Sequence, residues 1–428
     1  VPLWQTSFIN PAEGVTTVPK ADVEGPGSDI TPEIGITPTP VIDLTRNAIY
    51  LLARTKEVSN GTTSYVQRLH ALDLTTGAEL AGSPELIAAQ VNGSGSGNDN
   101  HGHLNFDGKQ ENGRPGLLLL NGVVYLDWAS LGDRVPYHGW VLGYDGGTLE
   151  PVAAYVTTPN GIDGGIWQSG GAPAADTNGN IFVEVGNGTF DVPGGGEDFG
   201  DTFLRLSTGS GGLAVADYFT PYNQASLDNV DYDLGAGGPM LLPDQPGAAP
   251  HLAVFAGKDG SIYLVNRDNL GQFSASGNEI PLYLPTAVGK GSTDSGGNRS
   301  TPAYWQGQIY LVGGSDTMKA FSLFNGMLSP SPVSAGTVRY GYPGGQAAVS
   351  ANGNANGIVW VLETDRYLTG AATLRAYDGA NVSRELFNSG TKSTNMPGFA
   401  VKFTVPTAAN GKVYVGTQTE LDVYGLLP

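Results

Sequence analysis

The sequence predicts an all-β fold: a single β-propeller of seven four-stranded blades, or eight if a degenerate blade hides in a long loop. Three observations predict it. A strand-turn-strand unit recurs seven times along nearly the whole chain of 428 residues, about 61 residues apart on average. Gly (64 residues) and small polar residues take the place of charge, which falls to 14% of the chain, a mixture suited to short strands and tight turns. The 40% hydrophobic share is enough for a full core, yet it never gathers into long runs.

Each unit opens on a small residue or Pro and a short apolar run. A turn follows, then a β-branched and aromatic run. The anchors are Pro40-Val-Ile-Asp before Ala48-Ile-Tyr-Leu, and Pro115-Gly-Leu-Leu before Val123-Val-Tyr-Leu. Next come Pro173-Ala-Ala-Asp before Ile181-Phe-Val-Glu, and Pro239-Met-Leu-Leu before Leu252-Ala-Val-Phe. Pro302-Ala-Tyr-Trp before Ile309-Tyr-Leu-Val, Gln346-Ala-Ala-Val before Ile358-Val-Trp-Val, and Pro406-Thr-Ala-Ala before Val413-Tyr-Val-Gly complete the set.

A third strand closes on Asp or Asn before a turn, as in Leu69-His-Ala-Leu-Asp73, Val141-Leu-Gly-Tyr-Asp145 and Leu374-Arg-Ala-Tyr-Asp378. A weaker fourth follows, as in Val152-Ala-Ala-Tyr-Val. Four antiparallel strands repeated in this way are the grammar of a propeller. The final unit runs out at residues 421–428 with no fourth strand. Residues 1–8 (Val1-Pro-Leu-Trp-Gln-Thr-Ser-Phe8) are expected to supply it and close a single domain spanning 1–428.

Turns between first and second strands, and between third and fourth, are mostly short, whereas the second-to-third and blade-to-blade connections hold the long excursions, at 54–64, 84–113, 130–139, 158–169, 186–201, 221–238 and 278–300. In a propeller these long connections emerge on one face, which is where function is expected.

Composition removes several classes. The formal net charge is −19, so the surface repels phosphate backbones and no nucleic-acid partner is expected. The longest apolar stretch, residues 117–128, is broken by Asn121-Gly122, and no membrane span is expected. With no Cys there is no disulfide, Cys-ligated metal or covalently attached haem. The Val1-Pro2 start is that expected of a processed secreted or periplasmic protein, and a closed propeller is expected to stand as a monomer.

Four of the five His lie in or near the long loops. His101 and His103, in Asn98-Asp-Asn-His-Gly-His, suit metal ligation or acid–base work, or simply a polar loop. His138, at the entrance to a strand, reads equally as catalytic or as a hydrogen-bonded structural His. Asp191, Glu197, Asp198 and Asp201 share one Gly-rich loop, and Asp228, Asp231 and Asp233 share another. Such loops suit a hard cation such as Ca²⁺, or are solvated acids in an acidic protein.

The repeat in Ala71-Leu-Asp-Leu-Thr-Thr-Gly77 and Gly257-Lys-Asp-Gly-Ser-Ile-Tyr-Leu resembles that of pyrroloquinoline-quinone (PQQ) propellers, the quinoprotein alcohol dehydrogenase-like superfamily. The resemblance extends beyond the repeat. His138-Gly-Trp-Val-Leu-Gly-Tyr-Asp145 resembles the segment after the family's glutamate ligand, and Ile181-Phe-Val-Glu-Val-Gly-Asn187 the strand that ends in its asparagine ligand. Asp231-Tyr-Asp233 resembles its Asp-x-Asp, and Lys258 falls where it sets a basic residue against the quinone.

The resemblance implies Asp231 as catalytic base, and Asn187, Asp233 and Asp133 as ligands of Ca²⁺ or a lanthanide. It implies Lys258 and Arg299 as PQQ-binding groups, with Trp167 as the floor beneath the cofactor. The Asp133-Arg134 pair stands where the family has its glutamate, and the missing Cys removes the cysteine ring found in many members.

Three functions are thereby open. One is a PQQ- and metal-dependent dehydrogenase of alcohols or sugars, passing electrons to a soluble acceptor. Another is a lyase or hydrolase on acidic carbohydrate, built on His101, His103, His138, Arg134 and the Tyr340/Tyr342 pair. The third is a non-catalytic binding or scaffold propeller.

Overall fold

A computed structural model of the chain describes residues 3–23, 30–209, 211–289 and 296–425. The fold is all-β, a seven-bladed propeller of small antiparallel sheets, with two further two-stranded sheets and only short helical turns among the described residues. The chain divides into two compact units: Val1–Trp167 with Ala172–Ala216, and Gln168–Gly171 with Asp217–Pro428.

In the first unit, blade 1 is built from Val41–Asp43, Ala48–Ser59, Thr62–Asp73 and Glu85–Leu86. Blade 2 uses Leu118–Leu120, Val123–Ser130, Trp140–Asp145 and Pro151–Val156. Blade 3 uses Ala174–Ala175, Ile181–Glu184, Phe203–Gly209 and Gly212–Phe219, the last carrying the chain into the second unit. Alternation decides the core here. Along Val123–Ser130, Val124, Leu126 and Trp128 point into one cluster with Tyr50, Leu52, Leu69, Trp140 and Leu142.

The second unit continues with Met240–Leu241, Leu252–Ala256, Ile262–Asn266 and Leu282–Leu284 as blade 4. Blade 5 is Ala303–Trp305, Gln308–Val312, Asp316–Phe324 and Ser334–Tyr340. Blade 6 is Gly345–Asn352, Ala355–Glu363, Thr373–Asp378 and Asn381–Asn388. Blade 7 is Thr407–Ala409, Lys412–Gly416 and Leu421–Gly425. The same alternation sorts the core of this unit. Val254, Leu264, Ile309 and Leu311 pack into one cluster, and Tyr310, Val312, Val359 and Tyr377 into another.

Where a third strand closes on Asp, that Asp has a local task. Asp73 Oδ1 accepts from the backbone N–H groups of Thr75 and Thr76, and Asp145 Oδ1 from those of Gly147 and Thr148. These Asx turns reverse the chain into the fourth strand. Asn121 (φ 52°) followed by Gly122 (φ 82°) forms the left-handed pair that a two-residue hairpin requires.

The repeat also builds a latch between neighbouring blades. The Tyr50 hydroxyl donates to the Gly146 carbonyl at 2.5 Å, and Tyr310, the same position of blade 5, donates to the Gly379 carbonyl at 2.6 Å. Each acceptor Gly follows the Asp that ends a third strand. Tyr310→Phe leaves a buried carbonyl without its donor and is expected to cost about 1–2 kcal/mol in a urea melt. An unchanged midpoint would show that the hydroxyl adds nothing to packing.

The N-terminal segment departs from expectation. Val1 and Pro2 lie outside the described residues, as do 426–428. Residues 3–9 form no strand, and blade 7 has three strands among the described residues. The segment is instead anchored on blade 1. Trp4 Nε1 donates to the Leu74 carbonyl at 2.8 Å, the Thr6 hydroxyl to the Gly77 carbonyl at 2.6 Å, and Phe8 packs on His70. Among the described residues, side chains thus anchor the segment at the 74–77 turn, and residues 3–9 add no strand.

Candidate functional site

The second unit gathers four of the residues singled out in the sequence. Asp231 and Asp233 follow the short helix Gln224–Asp228, and Asp231 adopts a left-handed φ of 56°. Lys258 leaves the end of Leu252–Ala256, and its backbone N–H donates to the Asp233 carbonyl at 3.0 Å. The backbone bond brings the side chains together. Lys258 Nζ donates to Asp231 Oδ1 and to Asp233 Oδ2, both at 2.9 Å.

The three side chains differ in access. Those of Lys258 and Asp233 are 14% and 9% exposed, whereas that of Asp231 is 60% exposed. Partial desolvation and the Asp233 carboxylate push Asp231 above the usual Asp range, against the pull of Lys258 and Arg299. Burial opposes the charge on Lys258, but Asp233 and Asp231 outweigh it and hold the ammonium protonated.

Arg299 is buried beside them. Its Nη1 donates to the Gly296 carbonyl at 2.6 Å, and its own carbonyl accepts from Gln346 Nε2 at 2.8 Å. The guanidinium lies 4.8 Å from the centre of the Tyr342 ring. Asn298 fixes this loop to blade 4 by donating to the Ala256 carbonyl. Tyr340 does not join Tyr342, because its hydroxyl pairs with that of Tyr377 at 2.7 Å inside the core.

The remaining candidates belong to the first unit. His138 is buried, with Nε2 donating to the Ser96 carbonyl at 2.8 Å and Nδ1 2.9 Å from the Thr158 hydroxyl. Burial lowers its pKa, so it is a neutral pin between two loops. His103 Nδ1 lies 3.0 Å from Asp99 Oδ2, while His101 is exposed. Asp133 is exposed with a left-handed φ of 51°, and Asn187 is half-buried with its carbonyl accepting from Gly164. Trp167 is buried, with the Tyr137 ring edge-on at 6.0 Å and the Arg114 guanidinium 4.9 Å from its ring centre.

In the acidic loop, Asp191 Oδ1 accepts from the Asp198 N–H and Asp198 Oδ1 from that of Asn160, so both carboxylates brace the backbone. No group of three or more His, Asp or Glu suited to a metal gathers among the described residues.

Sequence reasoning missed Lys402, whose ammonium lies 4.9 Å from the Tyr367 ring centre and 5.2 Å from that of Tyr342. Its partners come from residues far away in the chain, and no local spacing signals them. It also missed the buried acids Glu111 and Asp127, although an Asp inside the apolar run Tyr125-Leu-Asp-Trp was a visible anomaly.

No protein-family model and no curated protein matches the chain in sequence. Among solved structures, BamB from Moraxella catarrhalis is similar with a TM-score of 0.50 and 12% identity, over 95% of each chain. The quinohemoprotein alcohol dehydrogenase ADHIIG from Pseudomonas putida HK5 is similar with a TM-score of 0.49 and 13% identity, over 94% of this chain and 72% of that one. At 12% identity the likeness to BamB shows the fold alone.

Proposed function

We propose that the protein is a quinoprotein-like dehydrogenase that oxidises a small hydroxylated substrate, an alcohol or sugar, at the Asp231–Lys258–Arg299 site. The convergence of Asp231, Asp233 and Lys258 carries this reading, because one contact set unites three residues to which the resemblance assigns roles. PQQ is an anion, and the Lys258 and Arg299 cations suit its carboxylates and quinone oxygens. When bound, it supplies a two-electron acceptor. The protein acts outside the cytoplasm as a monomer and passes electrons to a soluble acceptor.

The residues do not fit Ca²⁺ or a lanthanide at the paired carboxylates. Lys258 already bridges Asp231 and Asp233, and a metal ion in the same place would face an ammonium. No step is therefore assigned to a metal. Asp231 receives the proton of the substrate hydroxyl at its solvent-facing carboxylate. Lys258 holds that carboxylate in position, and its fixed charge favours negative charge developing beside it.

The test is a titration of chelator-treated protein with PQQ, with and without Ca²⁺ or La³⁺, followed by absorbance. Binding that is indifferent to metal and weakened about tenfold or more in Lys258→Met is expected. Absence of binding at tens of micromolar PQQ would sink the reading, and strict metal dependence would overturn the metal-free site.

A further inference from the structure

The stretch that leads to Asp231 opens on an aromatic pair set at a right angle. We infer that Tyr222 and Tyr283 form a binding site for a small organic cation, a quaternary ammonium group of the kind borne by choline. The inference goes beyond the dehydrogenase reading and does not depend on it.

Tyr222 precedes the helix Gln224–Asp228, and Tyr283 lies on Leu282–Leu284, the fourth strand of blade 4. Their ring centres are 6.5 Å apart, with the planes at 85° to one another. Two rings at this angle cannot sandwich a flat ligand. A round cation seated between them lies within the roughly 6 Å over which a ring attracts positive charge. Tyr222 is 45% exposed and Tyr283 half-buried, so the pair meets solvent.

Both residues are held before any ligand arrives. Tyr283 pairs with Tyr263 across the strands, and its ring centre lies 5.3 Å from that of Tyr263, which stacks on Phe255 at 5.3 Å. The Tyr222 N–H donates to Asn278 Oδ1 at 2.9 Å, which ties its loop to the approach to that strand. Groups already in place lose little freedom on binding.

Charge favours the same ligand. Residues 217–284 hold eight Asp or Glu against two bases, Lys258 and Arg267, a net charge of −6. With its ion pairs counted in, that stretch still concentrates cations and repels anions. One of the acids adjoins the pair. Asp259 Oδ2 accepts from the Ser261 hydroxyl at 2.5 Å, and Ser261 Oγ lies 3.4 Å from the Tyr283 hydroxyl. Ring faces hold a cation without an unpaired carboxylate, so the Lys258 bridge between Asp231 and Asp233 stays as it is. A quaternary ammonium has no N–H to satisfy, so the rings are partners enough.

The experiment compares choline with dimethylbutanol, the uncharged analogue with carbon in place of nitrogen, by calorimetry on the full chain at low salt and without PQQ. Choline is expected to bind about fivefold or more tightly. Tyr222→Leu should remove that preference and Tyr222→Phe keep it, since the acidic field is the same in both variants. Tyr222 is nearly half exposed, so neither change disturbs the core. Equal binding of the two alcohols, no binding of choline at tens of millimolar, or a preference that survives in Tyr222→Leu would overturn the inference. Because no cofactor is present and Asp231 is untouched, this result and the PQQ titration stand or fall separately.

Discussion

Asp231→Asn is expected to lower dye-coupled turnover about a hundredfold or more while PQQ binding stays close to that of the parent protein. The amide keeps the size of the carboxylate and can still accept the Lys258 hydrogen bond, so the loop should hold its place. It cannot take a proton from a substrate hydroxyl. The raised pKa of Asp231 gives the rate a rising limb with pH, since only the ionised carboxylate acts as base and its proton leaves above the usual Asp range. The variant should lose that limb. A variant that keeps a third of its turnover, or the same limb, would remove Asp231 from the role of base.

The propeller was legible because its evidence repeats. Tyr50 and Tyr310 occupy matching positions in their units and make the same bond to Gly146 and Gly379. The approach of Asp231, Asp233 and Lys258 was legible only through resemblance, since 27 residues separate the first from the last. Lys402 was not legible at all. Tyr342 and Tyr367 reach it from loops far away in the chain, and cation–aromatic contacts leave no spacing in the sequence. The N-terminal segment misled for another reason: residues 1–8 look like the strand the last unit lacks, but Trp4 and Thr6 found carbonyl partners at a turn of blade 1.

Asp127→Leu is expected to stabilise the protein by about 1–3 kcal/mol near pH 8 and by much less at pH 4.5. Asp127 is buried on Val123–Ser130, and neither carboxylate oxygen has a hydrogen-bond partner among the described residues. Desolvation raises its pKa well above the usual Asp value. The sign follows from linkage. Above about pH 4 the unfolded chain releases this proton while the folded chain keeps it, so stability falls as pH rises towards the folded pKa. Glu111, raised by burial and then by Asp107, works in the same direction. Burial lowers the pKa of His70 and His138, and they work the other way, losing stability as pH falls below about 6.5. The parent's own pH profile therefore mixes opposing groups. The difference between parent and Asp127→Leu isolates one of them, because the His and Glu111 contributions cancel. Thermal melts of both proteins at pH 4.5 and pH 8 measure it. A gap of the same size at both pH values, or a destabilised variant at pH 8, would mean that Asp127 is not carried into the core as an uncompensated acid.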